Sequence, residues 1–115
     1  MSDVVVTVPK WFWRDWLDEG DLPGDSPTGE EWAFTIGTPA PRMEPGERVY
    51  IVAHGKLRGY APLVRVDMHR GRLALVRAGG AVAVTIDERI TGFRGWRSRW
   101  WERESERPFP AWREP

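Results

Sequence analysis

Glu47-Arg48-Val49-Tyr50-Ile51-Val52-Ala53-His54-Gly55-Lys56-Leu57-Arg58-Gly59-Tyr60-Ala61-Pro62-Leu63-Val64-Arg65-Val66-Asp67 is the stretch from which the fold is read. Residues 48 to 53 are nearly all apolar and predict a central strand. His54-Gly55 follows as a two-residue hairpin loop, in which glycine supplies the positive φ that a tight turn requires. Lys56 to Asp67 then returns antiparallel. Within it Leu57 and Ala61 share one parity, whereas Val64 and Val66 have the other. Because side chains alternate along a strand, the inward face must switch, and a bulge or bend around Gly59 and Pro62 accomplishes that.

Downstream, Arg72 to Ala78 and Ala81 to Ile86 flank Gly79-Gly80, a hairpin signal, and Val82, Val84 and Ile86 are expected to alternate inward. The expectation is a four-strand antiparallel meander. Trp96, Ser98 and Trp100 alternating against Arg97 and Arg99 predict a closing strand that passes into an irregular C-terminal tail. Residues 98–107 read equally as the start of a short helix stopped by Pro108. Phe109 and Trp112 are expected to pin that tail to the body. Upstream, Val4 to Val8 is a β-branched strand ended by Pro9. A helix from Pro9 to Glu19 places Phe12, Trp13, Trp16 and Leu17 on one face, with Gly20 as its C-terminal cap. Trp11 falls on the other side. Residues 20–30 and 37–46 are rich in glycine and proline and read as loops around a strand carrying Trp32, Phe34 and Ile36. Together these elements predict one mainly β domain spanning residues 1–115: a small antiparallel barrel of five to six strands with an early helix, closed or nearly closed because closure removes exposed edges.

The 115 residues suffice for one domain that buries roughly two-thirds of its unfolded surface. With no cysteine, disulfides, thiolate metal sites and cysteine nucleophiles are excluded, which fits a reducing compartment. The start lacks a signal-peptide pattern and no run is long enough to cross a bilayer, so a soluble cytoplasmic protein is expected, with no membrane partner. Seventeen basic residues balance seventeen acidic ones, so attraction to nucleic acid must be local rather than global. All the basic residues except Lys10 and Lys56 are arginine, a bias that suits bidentate recognition of phosphate or base edges. The codon bias of a GC-rich genome explains it equally.

Pro45-Gly46-Glu47-Arg48-Val49-Tyr50-Ile51-Val52, followed by Gly55-Lys56-Leu57-Arg58-Gly59-Tyr60-Ala61-Pro62-Leu63-Val64, resembles the PUA-like superfamily, which includes the ASCH and EVE domains. The resemblance covers residues 45–67 directly and the rest only through strand order and the early helix. It implies a pseudobarrel of five or six strands whose cleft between barrel and helix receives RNA or a modified base. The G-x-K-x-x-E-x-R motif of many ASCH domains is absent here, since Gly55-Lys56-Leu57-Arg58 is followed by no glutamate at that spacing. Hydrolase activity of the ASCH type is therefore left without its motif.

The densest chemical signal is Arg94, Trp96, Arg97, Arg99, Trp100, Trp101 and Arg103. Rings interleaved with guanidinium groups suit single-stranded nucleic acid, because bases stack on aromatics and arginines engage phosphates. The competing reading has Trp96 and Trp100 in the core, with Arg97 and Arg99 on a solvated face paired to Glu102, Glu104 or Glu106. Trp11, Arg14 and Lys10 are candidates for the helix side of the same cleft, and Arg58 and Tyr60 for a bulge that re-aims side chains. Their structural alternatives are a tryptophan packed under the 20–30 loop and an ordinary strand face. His54 and His69 fall in turns without metal-ligand spacing. The neighbouring carboxylates Asp87/Glu88 and Glu30/Glu31 point opposite ways on a strand, and no phosphate or dinucleotide fingerprint is present. No cofactor, metal or catalytic residue is expected. The expected function is a binding module for RNA, a nucleotide or a modified base. A protein-interaction module using the same Trp/Arg patch is the alternative, and a small hydrolase of nucleic-acid components stands third.

Overall fold

A computed structural model describes residues 3–19, 31–36, 44, 46–69, 72–78 and 82–114, with the backbone alone for 15, 16, 18, 19, 31–36, 69, 72, 73, 77 and 78. The chain order is β1 (Val4–Thr7), α1 (Lys10–Glu19), β2 (Glu31–Ile36), β3 (Arg48–Ala53), β4 (Lys56–His69), β5 (Arg72–Ala78), β6 (Val84–Thr85) and β7 (Trp96–Ser98). A short 3-10 helix (Arg103–Ser105) and β8 (Arg107–Pro108) complete it. The protein is mainly β.

The sheet differs from the expected closed antiparallel barrel. Six strands run in the order β2-β5-β4-β3-β1-β7, and among the described residues no pairing joins β2 to β7. The sheet is open. It is also mixed, because β1 lies parallel to β3, with Val4 opposite Val49 and Thr7 opposite Val52. Parallel neighbours need a long crossover, and here it includes α1 and β2. The meander also stops short. The chain after residue 81 does not continue alongside β5 but crosses β4, where Val82 and Tyr60 exchange backbone hydrogen bonds of 2.8 and 3.0 Å. From there β6 pairs with β8. Gly59 permits the crossing: a Cβ there would stand 2.4 Å from the Val82 carbonyl oxygen. Of the expected inward row, Ile86 is buried and Val84 half-buried, whereas Val82 is exposed. The Gly79-Gly80 turn and the loops at 20–30 and 37–43 lie outside the described residues.

The expected switch of face in β4 takes the form of two bulges. Ile51 pairs with Gly59 and Val52 with Leu57, leaving Arg58 as an extra residue, and a second irregularity falls between Leu63 and Arg65. An extra residue breaks the alternation, so Leu57 and Ala61, which share one parity in the sequence, enter the cores on opposite faces of the sheet.

Because β1 and β3 are central, their apolar runs are covered on both faces. On one face Val4, Val6, Val49, Ile51, Ala61 and Leu63 pack with Trp13 of α1 and Trp112 of the tail. On the other, Val5, Tyr50, Val52 and Leu57 pack with Ile86, Ile90 and Trp101. Each fully buried valine, leucine or isoleucine side chain contributes about 1.5–3 kcal/mol. Phe12 and Leu17 lean on the first core as the helical spacing predicts, and Trp11 stays outside, 65 % exposed. The side chain of Trp16 lies outside the description. The tail is part strand and part 3-10 helix, and it is tied down as expected, with the Trp112 ring edge-on to Trp13 at 5.8 Å. Among the described residues no helix is long and apolar enough to cross a membrane.

Candidate functional site

The segment from Glu88 to Trp100 forms the wall between two clefts. It is anchored by two links. The Ile90 amide donates to the Gly55 carbonyl at 2.9 Å, and the Thr7 hydroxyl donates to the Phe93 carbonyl at 2.8 Å while accepting from the Phe93 amide at 3.2 Å. The links attach irregular backbone to the end of β1 and to the β3–β4 turn, so a segment without long strands of its own is held in place.

The larger cleft, about 530 Å³, is lined by Glu88, Arg89, Ile90, Thr91, Arg97, Ser98 and Trp100. Trp100 is 41 % exposed, meets Trp101 edge-on at 5.0 Å, and donates its indole N–H to Glu88 Oε2 at 3.0 Å. These contacts hold the ring in one orientation and leave part of its surface open. The Arg97 guanidinium lies 4.5 Å from the Phe93 ring centre, a cation–π contact that fixes the side chain without neutralising it. Arg89, Arg94 and Arg97 form no ion pair with any described residue. The smaller cleft, about 370 Å³, shares Ile90 as its wall and runs between Thr7, Pro9, His54, Gly55, Phe93 and Arg94. His54 adopts a positive φ of 51° in the hairpin loop. Its burial and the charges of Arg58 and Lys10 hold the imidazole below its ordinary pKa, so it is uncharged at neutral pH.

Of the candidates named from sequence, Arg94, Arg97 and Trp100 come together around these clefts. Trp11 and Arg14 are exposed on α1 and line neither. The others are turned inward. Arg58, read as a ligand contact, is fully buried, because the bulge drives it under the tail. Its Nε donates to the Ala53 carbonyl at 2.9 Å and its Nη1 to the Trp112 carbonyl at 3.1 Å and to that of Glu114. Burial lowers its pKa to about 10. Trp101 is buried and donates to Glu106 Oε2 at 2.9 Å. Tyr60 is half-buried, with the Arg48 guanidinium 4.0 Å from its ring centre. Arg99 pairs with the buried carboxylate of Asp3 at 3.1 Å.

Two buried acids absorb the charge of this inner group. Asp3 accepts from the Arg48 amide at 2.9 Å, from Arg99, and from Arg103 at 2.8 Å. Burial pushes its carboxyl up, but these donors outweigh that and hold its pKa below the usual value. Glu106 accepts from the Tyr50 hydroxyl at 2.6 Å and pairs with Arg48 at 3.2 Å. Burial and the Glu106 carboxylate raise the Tyr50 pKa strongly. Arg89, Thr91 and Thr7 belong to the clefts but escaped notice in the sequence. They carry no motif, and only the backbone path from 88 to 94 brings them to the tryptophan. Among the described residues no three His, Cys, Asp or Glu side chains gather as a metal site.

The whole is an open, mixed β-sheet domain with paired cationic clefts beside a half-exposed indole. No family model matches the chain, and no curated protein or solved structure matches it either.

Proposed function

We propose that this domain binds a nucleotide or short single-stranded nucleic acid in the Trp100 cleft, with an adjoining phosphate directed toward Arg94 in the neighbouring cleft. One observation carries the reading: an oriented, partly open indole shares a concave site with Arg89 and Arg97, whose charges no described acid neutralises. Stacking on a fixed ring contributes about 1–3 kcal/mol per base, and unpaired guanidinium groups are the natural partners of phosphates. The sequence likeness to PUA-like domains supports the same ligand class. Titration of single-stranded RNA and DNA, with and without modified bases, against tryptophan fluorescence at low salt tests it. Saturable quenching in the wild type, lost in Trp100→Ala, is expected. Absence of any quenching up to millimolar nucleotide refutes the reading.

A protein-interaction module is the second reading, favoured by Trp11. Its ring is 65 % exposed on α1, lines neither cleft, and is a residue type prominent at interface hot spots. A mass that rises with concentration in light scattering, abolished by Trp11→Ala, supports it.

A further inference from the structure

Among the described residues Glu88 is the one acidic side chain lining the Trp100 cleft, and a carboxylate in a site for polyanions calls for a reason. Its Oε2 receives the Trp100 indole N–H at 3.0 Å, which places the carboxylate at the edge of the ring on which a base would stack. Glu88 is exposed and forms no ion pair with Arg89 or any other described residue. An ionised carboxylate only accepts hydrogen bonds and offers about four lone-pair directions, of which the indole occupies one. The others can engage donors only.

We propose that Glu88 makes this cleft selective for bases that present an exocyclic amino group, so that cytosine is preferred over uracil. The inference rests on the nucleic-acid reading given above. Cytosine offers its N4 amino group to a carboxylate, the pairing that glutamate and aspartate make with this base. Uracil carries a carbonyl oxygen at the same position, and its lone pairs would confront the lone pairs of Glu88. Attraction for one pyrimidine is therefore matched by repulsion of the other, at equal ring size and equal stacking area. The same charge repels phosphate from the Glu88 end of the cleft, which turns the backbone toward Arg97 and Arg94. Base selection and strand direction thus have one cause.

The experiment compares oligocytidine and oligouridine of equal length, titrated against the intact chain and against Glu88→Gln. A glutamine side-chain oxygen still accepts the Trp100 N–H, so the ring keeps its orientation, while its amide can also donate to uracil O4. The wild type is expected to bind the cytidine oligomer about tenfold more tightly. In the variant the ratio should fall toward one, chiefly because the uridine oligomer gains. Equal affinities in the wild type, or a preference unchanged in the variant, overturn the role of Glu88 while leaving the nucleic-acid reading standing. Failure of both oligomers to bind removes that reading and this inference together.

Discussion

The guanidinium of Arg58 lies 3.1 Å from the carbonyl oxygen of Trp112, a residue 54 positions later, and the pair joins the bulge of β4 to the C-terminal turn. The link supplies donors to carbonyls of the C-terminal turn, which lies outside any strand. Arg58→Met keeps much of the volume and removes the donors, so the carbonyls of Ala53, Trp112 and Glu114 each lose one. Relief of a buried charge offsets part of this, and a net loss of about 2 kcal/mol is expected in urea unfolding. Arg14→Ala, on the exposed face of α1, should stay within about 0.5 kcal/mol of the wild type. Equal effects of the two substitutions would contradict the structural role of Arg58.

Asp3 sets an acid limit on stability. Its folded pKa lies below the ordinary 3.8, so the folded state favours the ionised carboxylate. The stabilisation is fully present above pH 3.8 and disappears as pH falls through the lower folded value. Asp3→Asn should therefore unfold more easily at pH 7, by roughly 2 kcal/mol for a buried acceptor of three arginine contacts. The gap between variant and wild type should narrow steadily below pH 3.8. A gap independent of pH would show that the carboxylate charge contributes nothing.

Gly59→Ala tests the strand crossing. The added methyl would stand 2.4 Å from the Val82 carbonyl oxygen and 3.3 Å from the Ala83 Cα, both backbone atoms that cannot rotate away. A loss of about 2 kcal/mol or more is expected, together with faster amide exchange at Tyr60 and Val82. Gly95→Ala, where nothing lies within 4 Å, meets no such contact, although its φ of 72° brings a smaller backbone strain.

Arginine and tryptophan in the clefts should be separable by salt. Removing one phosphate contact with Arg97→Ala should lower the slope of log affinity against log salt by about 0.7. Trp100→Ala should weaken binding about tenfold or more with the slope unchanged, because stacking releases no counterions. Parallel shifts in both slopes would argue against stacking on Trp100.

The strands at 48–53 and 56–67, the helix with its outward Trp11 and the need for a bulge were all legible in the chain. Each depends on neighbours a few residues apart, where side-chain period and turn chemistry decide the outcome. The expectation of a barrel failed at a different level. Val4–Thr7 has the same β-branched pattern whether its neighbour runs parallel or antiparallel, and nothing in Val82–Ile86 announces that it leaves β5 to cross at Gly59.

The arginines make the same distinction. Composition alone established that any attraction for anions had to be local, and pattern alone placed Arg94, Arg97 and Trp100 in one segment. Which guanidinium groups remain available was decided by contacts across 54 to 100 residues: Asp3 takes Arg99 and Arg103, Glu106 takes Arg48, and the carbonyls of the tail take Arg58. A buried carboxylate or carbonyl captures whichever donor the folded chain brings within about 3 Å. That pairing belongs to the packed molecule, since residue type and spacing are identical for a captured arginine and an open one.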